Sequence, residues 1–371
     1  MIKLAVPDIG EEELEEIKKV FASKNLVQGD KVEEFENEIK KYLNVKNVIA
    51  VSSGTAALHL ALLALGIGNN DEVIIPDFTF PATANAVEHV GGTTKFVDIK
   101  LDSLCINAEK IEEVITDNTK VIIPVHEFGQ CADMDKIMEI AKKHNLKIIE
   151  DAACALGAEY KGKKIGTIGD LGCFSFHPRK AITTGEGGVI VTSNDELAEK
   201  IRVLRNHGLN IIDGKHQFVM AGLNYRMTNI QGAIGVVQMK KIKNIIKKRI
   251  EMAHEYNDIL RSIKGITLPE EKSYGKHVWQ TYHIILDEKI NRDELIKKLK
   301  EKGIETNFGA YAVHVQPYYQ NKYKHKISEY INSNIAYKQG LALPLYSEMD
   351  YETVIEIKNK IETVINELGF R

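Results

Sequence analysis

From about residue 47 to 192 the chain alternates short β-branched apolar runs with amphipathic stretches of helical length. The runs are "NVIAVS", "EVIIP", "TTKFVDI", "VIIPV", "LKIIED", "CFSF" and "GVIVTS". Runs this short, bounded by turn residues and separated by helix-length segments, predict crossover connections and a largely parallel seven-stranded sheet covered by helices on both faces. The late runs leave room for an antiparallel return. Ahead of this block, "EEELEEIKKVFAS" and "KVEEFENEIKKYL" carry apolar residues at three- and four-residue spacing, the signature of surface helices. Behind it, "GAIGVVQMKKIKNIIKKRIEMAHEYNDILRSI" (232–263) predicts one long helix whose lysines form a solvated face. The pattern then changes to "WQTYHIILD", the helix "NRDELIKKLKEKG" and a last helix over 351–368. This predicts an α/β protein of two domains, a large one over 1–245 that includes the N-terminal helices and a smaller C-terminal α/β unit over 246–371.

Composition narrows the function more than the fold. With 49 basic against 52 acidic residues and a net charge of −3, no basic block offers an electrostatic footprint for nucleic acid. Cys105, Cys131, Cys154 and Cys173 lie far apart with no C-x-x-C pair, which argues against a zinc knuckle or a disulfide frame and for reduced thiols in a cytoplasm. The window "VIAVSSGTAALHLALLALGIG" (48–68) is broken by Ser52, Ser53, Gly54 and Thr55, so it reads as strand, turn and helix rather than a membrane span. No membrane association and no metal site are expected.

Four stretches carry chemistry. In "SSGTAALHLALLALG" (52–66) a strand ends, Ser-Ser-Gly-Thr turns, and a strong helix former follows at once. Unpaired N–H groups at such a helix start suit a phosphate, although a plain capped helix has the same signature. In "LKIIEDAACALGAEY" (146–160) an apolar strand ends in Glu150 and Asp151, at the carboxyl edge where doubly wound folds bind ligands. Either acid can hold a cationic nitrogen, and either can cap a helix. In "PDFTFPATANA" (76–86), Phe78 and Phe80 among small residues offer an aromatic floor for a planar ring, or core packing.

The fourth, "CFSFHPRKAITTGEGG" (173–188), ends a buried strand with Arg179 and Lys180. A free lysine is neutral in roughly one molecule in 2,500 at pH 7 and is a poor nucleophile. Desolvation and a neighbouring cation are expected to lower its pKa by up to about 3 units, which leaves an amine able to form a Schiff base. Phosphate cradle, strand-end aspartate, aromatic floor and activated lysine together match the needs of pyridoxal phosphate.

These blocks, with "GLNYRMTNIQGAIG" (222–235), resemble the DegT/DnrJ-type sugar aminotransferases, fold type I pyridoxal-phosphate enzymes that aminate keto sugars on nucleotides. The resemblance spans nearly the whole chain. It implies that Lys180 binds the cofactor aldehyde and shuttles the proton, that Asp151 pairs with the pyridine nitrogen and that Phe80 covers the ring. It further implies that Gly54, Thr55, Ala56 and Ser175 hold the phosphate. Asn224 is expected to reach the phosphate in the partner subunit, hence a homodimer with shared sites, and Arg226 to take the donor carboxylate. The block "YAVHVQPYYQ" (311–320) is similar to the family's Y-x-x-H segment and implies Tyr311 and His314 near the sugar nucleotide. Cys154 stands where relatives carry Gln, His or Glu, so a hydrogen bond near the cofactor's phenolic oxygen is weakened or replaced. The expected reaction moves an amine from an amino acid, glutamate, to a 4-keto-6-deoxy sugar nucleotide, carbon 4 resting on "ITTGEGG". Cyclitol or aminohydroxybenzoate precursors as substrates, and a sensor without turnover, are the alternatives.

Overall fold

In a computed structural model that describes residues 1–369, the seven expected runs form one sheet. Its strands are β1 (Asn47–Val51), β2 (Glu72–Pro76), β3 (Thr93–Val97), β4 (Thr119–Ile122), β5 (Lys147–Asp151), β6 (Leu171–Ser175) and β7 (Gly188–Thr192). The spatial order is β1-β7-β6-β5-β4-β2-β3. From β6 outward through β3 all neighbours are parallel, and β7 runs antiparallel to both β1 and β6. The antiparallel return is therefore β7. Helices α3 (Gly54–Leu65), α4 (Ala82–His89) and α5 (Met134–Lys143) connect strands of the sheet, and α6 (Asp195–Arg205) follows β7. β7 is buried along its whole length, and β2 and β5 from their second residue on, as a sheet covered on both faces requires.

The amphipathic stretches before the sheet are α1 (Glu11–Ser23) and α2 (Asp30–Leu43), which pack with α7 (Asn229–Leu260). Asn229 joins them: its Oδ1 accepts from the backbone N–H groups of Lys31 and Val32 at 3.1 and 3.3 Å and so caps α2. Thr228 caps α7 itself. Part of the N-Y-R-M segment is thus a helix junction. Arg205, 6 % exposed, donates to Ala50 O at 2.7 Å and to Glu36 at 3.0 Å, tying α6, β1 and α2 together beneath the start of α3.

A separate apolar cluster begins at Ala253 within α7 and collects Trp279, Tyr282, Leu295, Ile357 and Ile361. It lies on a three-stranded antiparallel sheet of Ile266–Thr267, Tyr282–Leu286 and Gly340–Leu343. The first residues of the chain belong beside it, because Ile2 bridges Ile304 and Leu345 N donates to Leu4 O. The carboxyl ends of β4, β5 and β6 open toward this second unit, with Gln280 Nε2 on Arg179 O at 2.8 Å. Among the described residues no helix is long and apolar enough to cross a membrane, and no cluster of side chains could hold a metal ion.

Candidate active site

Strand alternation separates the two acids at the end of β5. Glu150 turns away and accepts three backbone N–H groups, from Gly166, Ile168 and Gly169 at 2.6–2.8 Å, and faces His126 Nε2 at 3.1 Å. It is a structural acceptor. Asp151 turns toward the crevice, 4 % exposed, and accepts from Thr83 Oγ1 at 2.8 Å and Ala153 N at 3.1 Å. Burial raises its pKa, and these two hydrogen bonds only partly oppose the rise.

Lys180 sits in the turn after β6 and donates from Nζ to Cys154 Sγ at 3.0 Å. The structure corrects the expected direction of its pKa. Burial draws it down, but Cys154, Glu127 and Asp151 outweigh burial and hold it above the ordinary lysine value. The neighbouring cation that was to lower it, Arg179, is exposed and its carbonyl is held by Gln280. Burial likewise pushes the Cys154 thiol up, with Lys180 opposing. The lysine is ringed by acids, so its activation has to come with the ligand rather than from the protein groups alone.

The start of α3 meets the end of β6. Ser53 caps the helix, accepting from Ala56 N at 3.1 Å. A Cβ on Gly54 would lie 2.8 Å from Ser175 Cβ, so glycine is what lets the Ser175 hydroxyl stand at the helix start. Gly188 is needed for the same approach, since a Cβ there would lie 2.4 Å from Ser53 O. Exposed Thr55 and buried Ala56 complete the first turn, where the Ala56 N–H is taken by the Ser53 cap.

The two phenylalanines part company. Phe78 is fully buried, whereas Phe80 is 63 % exposed, with its ring edge-on to Tyr311 at 6.2 Å. Tyr311 reaches it because Tyr311–Ala312 pairs antiparallel with Phe78–Thr79. His314, in the same segment, is 0 % exposed: its N–H donates to Asp77 Oδ1 at 2.8 Å and its Nδ1 lies 2.6 Å from Asp77 Oδ2. The histidine is thus buried, with its ring against Tyr330 at 4.7 Å and its Nε2 without a partner among the described residues. Asn224 is exposed, and its loop runs beside the end of β1, with Ser52 N on Tyr225 O at 2.9 Å. Arg226 bridges Val51 and donates to Asn206 Oδ1. Thr83 and Glu127 join the site without having been expected there. A buried hydroxyl two positions inside a helix, and an acid just past β4 in "PVHEFGQ", were the available signals.

Residues 7–362 match the DegT/DnrJ/EryC1/StrS aminotransferase family. The GDP-perosamine synthase of Caulobacter vibrioides is 41 % identical over 88 % of this chain and 89 % of its own length. The UDP-4-amino-4-deoxy-L-arabinose–oxoglutarate aminotransferase of Shewanella sediminis is 36 % identical over 98 % of each. Among solved structures, Spr1654 of Streptococcus pneumoniae in its PMP form superposes with a TM-score of 0.94 at 27 % identity, over 99 % of this chain and 100 % of that one. The residues described above fit such a cofactor: a close approach of the helix start to Ser175 that Gly54 permits, a buried carboxyl with no salt-bridge partner among the described residues, and a lysine near it. The chain belongs to the DegT/DnrJ/EryC1/StrS aminotransferase family and is a pyridoxal-phosphate-dependent aminotransferase of fold type I.

Proposed function

We propose that this enzyme transfers an amino group from L-glutamate to carbon 4 of a 4-keto-6-deoxy sugar nucleotide, as a cytoplasmic homodimer with shared active sites. The observation that carries it is the grouping of Lys180, Asp151 and the Gly54–Ser175 cradle at the carboxyl ends of β5, β6 and β1. The Shewanella sediminis relative supports carbon 4 and glutamate, since its name gives a 4-amino product and oxoglutarate, the keto acid that glutamate becomes.

When bound, pyridoxal phosphate supplies an aldehyde that condenses with amines and a pyridinium ring that draws in the electron pair of a broken C–H bond. Asp151, ionised opposite that nitrogen, keeps it protonated, and Thr83 fixes the carboxylate's orientation. Gly54, Thr55, Ala56 and Ser175 bind the phosphate through helix N–H groups and one hydroxyl. Phe80 covers the ring face and excludes water from it. Lys180 Nζ removes the proton from the donor's Cα and, in the second half-reaction, delivers one to the sugar carbon that receives the amine. Tyr311, against Phe80, is assigned to the sugar side together with His314 of the same segment. Arg226 is assigned the donor carboxylate. Asn224, exposed on its own subunit, is assigned to the partner's phosphate.

An absorbance titration tests this reading. The yellow holoprotein should bleach with glutamate and recover with one 4-keto sugar nucleotide, whose product carries nitrogen at carbon 4. Amination at carbon 3 alone refutes the regiochemistry. Recovery with a cyclitol ketone and no sugar nucleotide refutes the substrate class.

A further inference from the structure

One buried acid beside the lysine has no partner. Glu127 is 4 % exposed, and among the described residues no hydrogen bond or ion pair satisfies its carboxyl. Burial pushes its pKa up to about 8, with Lys180 opposing and Asp151 adding to the rise. Its oxygens are not among the fully buried unpartnered atoms, so the carboxyl keeps an edge that a ligand can reach. The backbone holds it firmly. Phe128 takes a left-handed φ of 54°, and the carbonyls of Phe128 and Gly129 accept Gln280 N at 2.9 Å and Val278 N at 3.2 Å. Glu127 thereby forms part of the wall of a cavity of about 250 Å³ between the two units. The titratable groups beside it are Lys180, Asp151, Cys154 and Cys105, while Asp102, Glu270, His277 and His283 share the lining of the cavity.

Strand order decides which part of the cofactor Glu127 meets. The phosphate cradle belongs to β1, α3 and the end of β6, Asp151 ends β5, and Glu127 follows β4. In the order β1-β7-β6-β5-β4 the cradle and Glu127 therefore lie on opposite sides of Asp151. In pyridoxal phosphate the carbon bearing the aldehyde has the phosphate arm on one flank and the phenolic oxygen on the other, with the ring nitrogen opposite. A ring tied at its phosphate by Gly54 and Ser175, at its nitrogen by Asp151 and at its aldehyde by Lys180 turns its phenolic oxygen toward Glu127. Cys154 is a poor donor for that oxygen, since a thiol donates weakly.

We infer that Glu127, in its protonated form, donates a hydrogen bond to the cofactor's phenolic oxygen and so sets the proton affinity of the Lys180 nitrogen when the cofactor is bound to it. The inference rests on Lys180 as the cofactor-bearing residue. A neutral carboxyl is a strong donor to a phenolate, and stabilising that anion lets the neighbouring nitrogen release its proton at lower pH. Removing the donor raises the pH at which the proton leaves.

The test uses holoprotein of the wild type, Glu127→Gln, Glu127→Leu and Cys154→Ala. Borohydride reduction and peptide mapping first locate the cofactor on Lys180 in each, so failure of that assignment is seen separately. The pH midpoint of the holoprotein's visible absorbance is then read. Glu127→Leu should raise it by about one unit or more, Glu127→Gln, which keeps a donor, should stay within about half a unit, and Cys154→Ala should move it less than Glu127→Leu. Equal midpoints for wild type and Glu127→Leu overturn the inference. Should Glu127→Leu hold the cofactor too weakly for that titration, its dissociation constant is compared for pyridoxal phosphate and for the analogue lacking the phenolic oxygen. A penalty of about tenfold or more for the natural cofactor that disappears with the analogue supports the hydrogen bond. The same penalty for both overturns it, because a purely structural role of Glu127 ignores the phenol.

Discussion

Asp151→Asn should move two measurable quantities in opposite directions. The substitution keeps the shape of a side chain that is 4 % exposed and leaves an oxygen to accept from Ala153 N. Thr83 Oγ1, now 2.8 Å from Asp151, can rotate to accept from the new amide. What is lost is charge. Burial raises the pKa of Asp151 in the folded protein above its ordinary value of 3.8. Below that pH the group is protonated in both folded and unfolded chains. As pH rises, the unfolded chain ionises first, so folding loses about 1.4 kcal/mol per pH unit until the folded group ionises too. Asparagine has no such loss. Apo Asp151→Asn should therefore match the wild type near pH 4 and become the more stable of the two as pH rises toward 7. With cofactor the order reverses, because a buried pyridinium left without its carboxylate costs about 3–5 kcal/mol. That is roughly two to four orders of magnitude in affinity. Thermal unfolding of the apo proteins from pH 4 to 8, with and without added pyridoxal phosphate, reads both arms. An apo variant less stable than the wild type at pH 7, or one with unchanged cofactor affinity, would refute the assignment of Asp151 as an acid kept for a cation.

Three further outcomes follow from the same geometry. Gly54→Ala sets a Cβ 2.8 Å from Ser175 Cβ. Relieving that overlap costs about 1–3 kcal/mol and opens the cradle, so the cofactor's dissociation constant should rise about tenfold or more in fluorescence titration. Cys154→Gln should keep kcat/KM within about tenfold of the wild type, on the order of 1.4 kcal/mol in the barrier; complete loss of turnover with the cofactor still bound would assign the thiol a role in the reaction. Mixing Lys180→Ala chains with Asn224→Ala chains should regain activity that neither has alone, through hybrid dimers with one intact site. No recovery after mass spectrometry has confirmed subunit exchange would contradict a shared site.

The sheet was legible because each strand is an apolar run bounded by turn residues, and because long crossovers leave parallel pairing as the usual outcome. The phosphate cradle was legible for a local reason: strand, serine, glycine and helix are contiguous in "SSGTAALHL". The lysine's electrostatics were not. Its direction depends on Cys154, 26 residues away, and on Glu127, neither of which any local pattern brings to Lys180. Glu127 itself reads in sequence as a solvated residue leaving a strand. It is buried only because Phe128 turns left-handed and backbone from the second unit seals the turn. His314 is a similar case. The motif suggests a ligand contact, but the register of Tyr311 against Thr79 drives the imidazole onto Asp77 and leaves Tyr311 at the surface of the crevice.

All of this depends on the amine of Lys180 condensing with the cofactor among three acidic neighbours. Reduction of the holoprotein with borohydride, followed by peptide mapping, examines that step directly. A pyridoxyl adduct on Lys180 and on no other residue is the expected result. An adduct elsewhere, or none in protein that has retained its yellow colour, would contradict it.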